Sequence, residues 1–594
     1  MTECRNGARP AVRATLALAA VLACQYASAQ APGVKISGGV SYGVGIRAQD
    51  PNPDLLFVNN APAAGLASTN TAGRNQDDGN MNYRKGDVFS NVVKGFLDLQ
   101  PNSGRFDGLV RLQGWHDFEL ADGTTPWGHT ANEFRTDIPL SDAGARSRGK
   151  FSNAVVSDAW VRGRFDPGLP VTVTLGQQVI GWRGRGLVPG MMAGIDPADF
   201  IARSRPGAFA EEGTIPIPAL RATTKAGGVD LDGFLQFGFR ANQTPLCGTF
   251  FAAADRTLDG CDKTMVNAGA GTRTDRELLA AGRFVRLGSV IEAGDSGQFG
   301  LSARWGDARA GTRFGLSYAR YHSRTGYTNM VKSQIPGANP FAANDPRNPQ
   351  TQVVYPEGIQ ALALEFERNA GPVGTVYGSV GYSPNTPLSY AAGEVFQAFV
   401  APVASASLFR AQERATAPGG IFEGWDRRQV SQWQVGVIKP LRQVAGAATM
   451  TLRAEINARV VHDLPDPTVL RYGRPEVYGV GPINGACGAG ASAVTCTNDG
   501  YLSRSAWGYT LQAIATYPKV VADVDLRPRV SFAHNVHGWS YDGLIREGRK
   551  TMVLGLDAIR GKTTFGVSLV RHTGGTYDNT TDRDYLSASL ATRF

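Results

Sequence analysis

The sequence predicts an all-β fold, a transmembrane antiparallel β-barrel of about 18 strands with long extracellular loops. Three observations lead to this prediction. Segments that alternate between apolar and polar residues recur along the 594-residue chain. The connections between them alternate between short turns and long loops. After the N-terminus, no run reaches the roughly 20 apolar residues that a membrane helix needs.

The N-terminus predicts a signal peptide over residues 1–29. Three arginines precede the apolar run ATLALAAVLA, and the small-residue sequence ASA precedes Gln30. This order of charged, apolar and cleavage regions is typical of an exported protein. A lipoprotein signal with an acylated Cys24 is the alternative, but Leu22 is bulky for such a signal. We therefore expect one barrel domain over 30–594, in the bacterial outer membrane.

The segment ATMTLRAEINARVV, residues 448–461, shows the strand pattern most clearly. Because side chains of a strand point to opposite faces with period two, its apolar and charged residues face different surroundings. The predicted strands are 34–48, 91–100, 106–119, 152–165, 171–182, 217–226, 229–241, 297–307, 312–324, 358–369, 373–384, 427–439, 448–462, 502–517, 523–537, 548–560, 563–573 and 582–594.

The loop lengths favour a membrane barrel over a soluble sandwich. Turns such as PNSGR and DPGLP are short, whereas loops on the other side of the predicted barrel are long. Outer-membrane barrels have short periplasmic turns and longer extracellular loops. The long loops are 49–90, 120–151, 183–216, 242–296, 325–357, 385–426 and 463–501.

Four cysteines that follow the signal peptide predict two disulfides. Cys247 and Cys261 lie in one outer loop, and Cys487 and Cys496 lie in another. Closely spaced, even cysteines in an exported chain favour disulfides over a metal site, since no histidine cluster accompanies them. We expect loops 242–296 and 463–501 to be stapled by one bond each.

The outer loop 183–216 is unusually apolar for a segment in water, and it is the candidate plug loop. Its sequence DPADFIAR predicts a short helix with Asp196 as N-cap and Pro197 in the first turn. Two placements remain open: the loop folds into the lumen, or it packs against the partly helical loop 385–426. The candidate plug or ligand-contact residues are Met191, Met192, Phe200 and Phe209.

Charges of both signs fall on the inward parity of the predicted strands. They allow two interpretations: arginine and carboxylate pairs that stiffen the wall, or a polar constriction that filters solutes by charge and size. The predicted lumen-lining residues are Arg453, Glu455, Arg459, Asp525, Arg527, Arg529 and Asp557.

The sequence does not predict an enzyme. Its seven histidines form no HExxH motif, and no Walker-type glycine loop is present. Asp578, Asp582 and Asp584 lie close together, but without the spacing of a calcium loop they predict a solvated turn. We expect no metal site, no cofactor and no nucleic-acid partner. The expected partners are outer-membrane lipid and lipopolysaccharide, a small-molecule solute, and a periplasmic or inner-membrane transport protein.

Several motifs resemble a family of proteobacterial outer-membrane proteins catalogued as domain of unknown function 1302. They are LGQQVIGW, RPGAFAEEGTIPIPAL, CGTFF, YHSR, YPEGI, WGYTL and DRDY, in this order along the chain. The family-motif residues carried over are Gly176, Gln177, Trp182, Pro206 and Gly207. The chain departs from the family at Arg183-Gly184 and at His534-Asn535.

The resemblance implies a porin-like barrel, often associated with export or uptake of hydrophobic compounds. We therefore expect a conduit for a small hydrophobic or amphipathic compound, gated by inward-folded loops. The alternatives are a general porin for polar solutes and a non-conducting partner of an envelope transport system.

Overall fold

The computed structural model describes residues 33–166, 168–267, 272–307, 310–337, 341–401, 407–487 and 492–594. The predicted signal peptide, with Cys24, lies outside these residues. The described part contains 23 strands, numbered β1–β23 in chain order, and six short α-helices. The helices are α1 Asp78–Met81, α2 Phe118–Asp122, α3 Phe200–Ser204, α4 Asp275–Ala280, α5 Ala392–Val400 and α6 Arg410–Ala415.

Eighteen strands form one closed antiparallel barrel. Each strand pairs with the barrel strand before and after it, and the last strand pairs with the first, from Gly39 opposite Arg593 to Arg47 opposite Tyr585. The barrel strands are β1 Val34–Arg47, β2 Val88–Pro101, β3 Phe106–Asp117, β4 Ser152–Phe165, β5 Val171–Gln178, β6 Ile217–Ala226, β7 Val229–Gln236, β10 Gln298–Asp307, β11 Thr312–Tyr321, β14 Ile359–Asn369, β15 Thr375–Ser389, β17 Trp425–Val444, β18 Ala447–Val461, β19 Ser505–Val521, β20 Val524–His537, β21 Lys550–Arg560, β22 Thr563–Thr573 and β23 Tyr585–Arg593.

The predicted fold class is confirmed, and every predicted strand corresponds to one barrel strand. The predicted strands 171–182 and 229–241 extend furthest beyond the observed ones, because β5 ends at Gln178 and β7 ends at Gln236. In both cases the chain after the strand leaves the ladder although its apolar pattern continues. Ile180, Trp182 and Phe239 are buried against other parts of the protein instead of lying on a strand.

The two faces of the barrel wall differ as the alternation predicts. On β14, Leu362 and Leu364 are 45% and 50% exposed, whereas Ala361 and Ala363 are buried. Large apolar residues are exposed in the same way on most other barrel strands. A bilayer requires both features. The apolar belt faces the lipid tails, and the closed barrel pairs the backbone groups that lipid cannot pair. The protein is an outer-membrane β-barrel.

The long loops build a cap that sequence analysis did not predict. Five short strands form a second sheet in the order β16-β12-β13-β9-β8, with one parallel pair, β9 and β13. Their bounds are β8 Lys263–Met265, β9 Phe284–Ile291, β12 Tyr327–Val331, β13 Gln350–Val354 and β16 Ile421–Phe422. Helix α5 packs on this sheet, with Phe399 against Phe422. Among the described helices, none has the length and apolarity to cross a membrane.

The predicted solvated turn around Asp578 is wrong. Asp578 and Asp582 are fully buried, and Asp584 is 3% exposed. Arg549 pairs with Asp578 at 3.2 Å, and Arg47 pairs with Asp582 at 3.1 Å. Asp578 and Asp582 therefore form ion pairs with arginines. These pairs connect β1 with the loops near the C-terminus.

Both predicted disulfides are present in the structure. Cys247 joins Cys261 with a Cα–Cα distance of 5.4 Å, and Cys487 joins Cys496 at 5.6 Å. Both Cα distances lie in the usual range for a disulfide. Each bond closes a short ring within one outer loop.

We expect mass spectrometry of non-reduced digests to find Cys247 linked to Cys261 and Cys487 linked to Cys496, without cross-linked peptides between the pairs. The reason is geometric, since each partner lies within bonding reach of only its own loop neighbour. The reduced digest is the control. Free thiols at all four positions would contradict the arrangement.

Candidate functional site in the barrel lumen

The loop 183–216, called the lumen segment below, lies inside the barrel. Its start is fixed where β5 ends: Asp196 accepts hydrogen bonds from the N–H groups of Ile180 and Gly181 at 2.9 and 2.8 Å. The Trp182 indole donates to Asp232 on β7 at 2.8 Å. From this point the segment contacts inward-facing residues on two separate parts of the wall.

Glu455 on β18 holds the first part of the lumen segment. Its carboxylate accepts hydrogen bonds from the backbone N–H groups of Leu187 and Val188, at 2.6 and 3.0 Å. It also accepts from the Tyr377 hydroxyl at 2.7 Å and from the Gln434 amide at 2.8 Å. Each carboxylate oxygen thus has two donors, and the side chain is 2% exposed. A buried carboxylate with four donors is a strong fixed anchor.

Three neighbouring wall side chains hold the backbone carbonyls of the same stretch. Arg453 donates to Arg185 O at 2.6 Å. Gln434 donates to Val188 O at 2.7 Å, and Arg459 donates to Pro189 O at 2.7 Å. Arg459 also pairs with Asp542 at 2.9 Å. The wall therefore satisfies donors and acceptors of an irregular segment that has no strand partner.

The methionines that follow are packing residues. Met191 and Met192 are 7% and 3% exposed and belong to one buried cluster with Tyr321 and inward residues of β11 and β14. Small wall residues make room for them, because a Cβ at Gly381 would lie 2.5 Å from Met191 Cβ. The predicted ligand contact of these two methionines is therefore limited to the small exposed part of each side chain.

The segment then turns through helix α3, and its N-cap differs from the predicted one. Asp199, not Asp196, caps α3 by accepting from Ala202 N at 2.9 Å. Asp196 is committed to Ile180 and Gly181 instead. Phe200 is 42% exposed and joins no buried cluster, so it does not plug the lumen by packing.

The second part of the segment contacts another part of the wall, formed by β23, β1 and β2. Lys94 and Glu212 form a buried ion pair at 2.8 Å, and Arg593 binds Glu211 with two hydrogen bonds of 2.9 and 3.0 Å. Phe209 packs edge-on against Phe96, with ring centroids 5.1 Å apart. The lumen segment is thus anchored at two parts of the barrel wall.

The motif residues of the resemblance have structural roles. Gly207 has φ +71°, in the left-handed region that favours glycine. Pro206 lies on Gly43 of β1, where a Cβ would stand 2.6 Å from the Pro206 carbonyl oxygen. Gly176 lies in β5 with φ +127°, and Gln177 donates to Val156 O at 3.2 Å across to β4. Gly176 and Gln177 therefore hold β5 against β4, whereas Pro206 and Gly207 hold the lumen segment against β1 and β23.

The remaining predicted lumen residues do not hold the segment backbone by hydrogen bonds as the residues of β18 do. Arg529 on β20 lies 3.8 Å from Asp557 on β21, and Arg527 stands opposite Asp557 in the ladder. Asp525 accepts from Lys519 N at 2.9 Å near the β19–β20 turn. The structure therefore divides the predicted set: those of β18 hold the segment, and those of β20 and β21 belong to a separate stretch of wall.

Two cavities flank the lumen segment. The first, of ≈ 260 Å³, lies between residues 181–192 and the wall of β10 to β18. The second, of ≈ 460 Å³, lies between residues 203–209 and the wall of β20 to β23. Charges around the first are Arg183, Arg185, Arg304, Arg313 and Arg459 with Glu365 and Glu367. Those around the second are Arg203, Arg205, Arg529, Lys562 and Arg593 with Asp557.

Residues 10–594 match the family described as "Protein of unknown function (DUF1302)". The chain belongs to this family. No match was found among curated proteins.

Solved structures similar to this DUF1302 barrel are outer-membrane proteins of low sequence identity. The outer membrane channel DcaP of Acinetobacter baumannii is 10% identical over 95% of this chain and 99% of that chain, with a TM-score of 0.35. OccAB3 of Acinetobacter baumannii is 8% identical over 95% and 100%, with a TM-score of 0.42. A BenF-like porin from Pseudomonas fluorescens Pf-5 is 10% identical over 95% and 98%, with a TM-score of 0.39.

Substitution of Glu455 by Ala should release the first part of the lumen segment while the barrel stays folded. The variant loses four hydrogen bonds to a carboxylate, and a single such bond contributes about 1.5–3 kcal/mol. We expect higher and noisier single-channel conductance in planar bilayers than for the unsubstituted protein. Asp107→Ala is the matched control, because Asp107 is an inward wall carboxylate that pairs with Arg162 and Arg164 and not with the segment. Equal conductance in all three proteins would contradict this role of Glu455.

Proposed function

We propose that this DUF1302 protein is a narrowed, porin-like conduit for a small amphipathic anion, with the lumen segment as its constriction. The observation that carries the proposal is the double anchoring of the segment. Residues 185–189 are bound by β17 and β18, and residues 206–212 contact β1, β2 and β23. A barrel of 16–18 strands is otherwise wide enough for an aqueous channel.

The charge around the two cavities supports an anionic solute. Cations outnumber carboxylates in both, and Arg304 and Arg313 form none of the described ion pairs. A cleft with one predominant sign of charge concentrates solutes of the opposite sign. Arg183, one of the departures from the family pattern, adds a further cation to the first cavity.

The apolar part of the first cavity supports an amphipathic solute over a small inorganic ion. Trp182, Met191 and Met192 lie along the same cavity as Arg304 and Arg313. A compound with an apolar body and a negative end would contact both kinds of side chain. The strongly apolar route expected from the sequence has less support, because the apolar side chains of the lumen segment are largely buried in packing.

Deletion of residues 186–212 should raise the conductance of purified protein in planar bilayers severalfold, because it removes the constriction. Residues 179–185 and 213–216 remain to close the hairpin, since Gln178 and Ile217 are already ladder partners. Faster migration of unheated than of boiled protein in detergent gels is the control for an intact barrel. A wide, steady conductance in the full-length protein, unchanged by the deletion, would favour the general porin.

The ion preference of the channel should depend on cations beside the second cavity. We expect the reversal potential in a KCl gradient to indicate anion preference, and the double change Arg529→Gln and Lys562→Gln to move it toward zero. The double change Lys225→Gln and Lys519→Gln is the control, because it removes the same two positive charges from exposed positions outside both cavities. Cation preference in the full-length protein would contradict an anionic solute.

A further inference from the structure

Three carboxylates from two outer loops meet inside the cap, away from the lumen. Asp77 and Asp78 stand at the start of α1, in the loop between β1 and β2. Asp255 lies between β7 and β8, within the ring that the Cys247–Cys261 disulfide closes. One oxygen of each carboxylate lies within 4.8 Å of the others. Asp77 and Asp78 are fully buried and Asp255 is 5% exposed.

Each of these carboxylates uses only one oxygen in hydrogen bonds. Asp77 Oδ2 accepts from Phe57 N at 2.9 Å, Asp78 Oδ1 accepts from Trp127 Nε1 at 2.7 Å, and Asp255 Oδ2 accepts from Asp78 N at 3.1 Å. The other oxygens, Asp77 Oδ1, Asp78 Oδ2 and Asp255 Oδ1, are buried and accept no hydrogen bond in the described part of the chain. Buried polar atoms without a partner are rare and mark a strained or ligand-binding place.

Two arginines lie near the group, but their side chains bind other partners. Arg74 is paired with Asp275, a fourth buried carboxylate beside the cluster. Arg583 donates to the carbonyl oxygens of Gly79, Phe250 and Ala252, at 2.8, 2.5 and 3.0 Å. Within the described residues, no ion pair reaches Asp77, Asp78 or Asp255. Burial, together with repulsion between the neighbouring carboxylates, raises the pKa of all three.

Three buried negative charges need either protons or a cation, because an uncompensated buried charge is very costly. The ligand atoms are all carboxylate oxygens, which suit a hard divalent cation and not zinc or copper. Calcium binds oxygens at about 2.3–2.6 Å, so two of its ligands lie at most about 5 Å apart. The spacing of the three oxygens fits around one such ion.

We propose that Asp77, Asp78 and Asp255 bind a calcium ion in the extracellular cap. The ion ties the loop after β1 to the disulfide-closed loop after β7, and Trp127 brings in a third loop through its bond to Asp78. The loops that carry the site lie on the outer side of the barrel, which faces the calcium of the external medium. Extracellular calcium modules bind with dissociation constants of about 10⁻⁴–10⁻³ M.

Terbium luminescence tests the site directly. Full-length protein in detergent is treated with a chelator, exchanged into buffer and titrated with Tb³⁺ under tryptophan excitation, because Trp127 contacts a ligand residue. We expect saturable luminescence that Ca²⁺ displaces. Asp255→Asn should raise the Ca²⁺ concentration that displaces half of the Tb³⁺ at least tenfold. Asp345→Asn should behave like the unsubstituted protein, since Asp345 pairs with Arg347 in another outer loop.

A protease assay separates a metal site from a purely hydrogen-bonded cluster. Ca²⁺ should slow cleavage of loops 49–87 and 237–262 in the unsubstituted protein but not in Asp255→Asn. In chelator, the variant should be cleaved no faster than the unsubstituted protein, because it carries one buried charge fewer. Absence of saturable, Ca²⁺-displaceable luminescence and of Ca²⁺ protection would overturn the proposal and assign the cluster to shared protons. An equal Ca²⁺ effect in Asp255→Asn would also overturn it, because the ion would bind elsewhere.

Discussion

The constraint that governs this structure is that lipid offers no hydrogen-bond partner to the backbone. The chain meets it by closing eighteen strands into a ring, with β23 paired to β1. Closure at this strand number leaves a lumen too wide for wall side chains to fill. In the described part of the chain, the lumen segment lies in that space and is bound by Glu455 and Lys94.

The barrel was predictable because its information is local. Each strand carries its own alternation, as on β18, and each short turn limits the register of its neighbours. The position of the lumen segment was predictable only as one of two alternatives. Its anchors are pairs such as Glu455 and Leu187, which lie 268 residues apart, and no local pattern records such a distance.

The cap escaped prediction for the same physical reason. Its five-stranded sheet combines strands from several loops. All but Phe284–Ile291 are two to five residues long, such as Ile421–Phe422, and are too short for a periodic signal. The carboxylate cluster joins Asp78 to Asp255 across 177 residues. Likewise, Asp578 and Asp582 read as polar turn residues until the fold places arginines against them. The sequence shows only the adjacent pair Asp77-Asp78 of the carboxylate cluster. Two adjacent aspartates do not by themselves predict a cation site.

The double anchoring of the lumen segment also orders the assembly of the molecule in time. The segment leaves β5 and returns to β6, yet the residues that receive it belong to β17, β18, β23 and β1. Pro206 and Phe209 pack over Gly43 and Gly39 of β1. This strand pairs with the last strand, β23, to close the barrel. The lumen segment can therefore reach its final position only after the last strand has paired with the first. Its ordered arrangement inside the lumen requires a closed barrel.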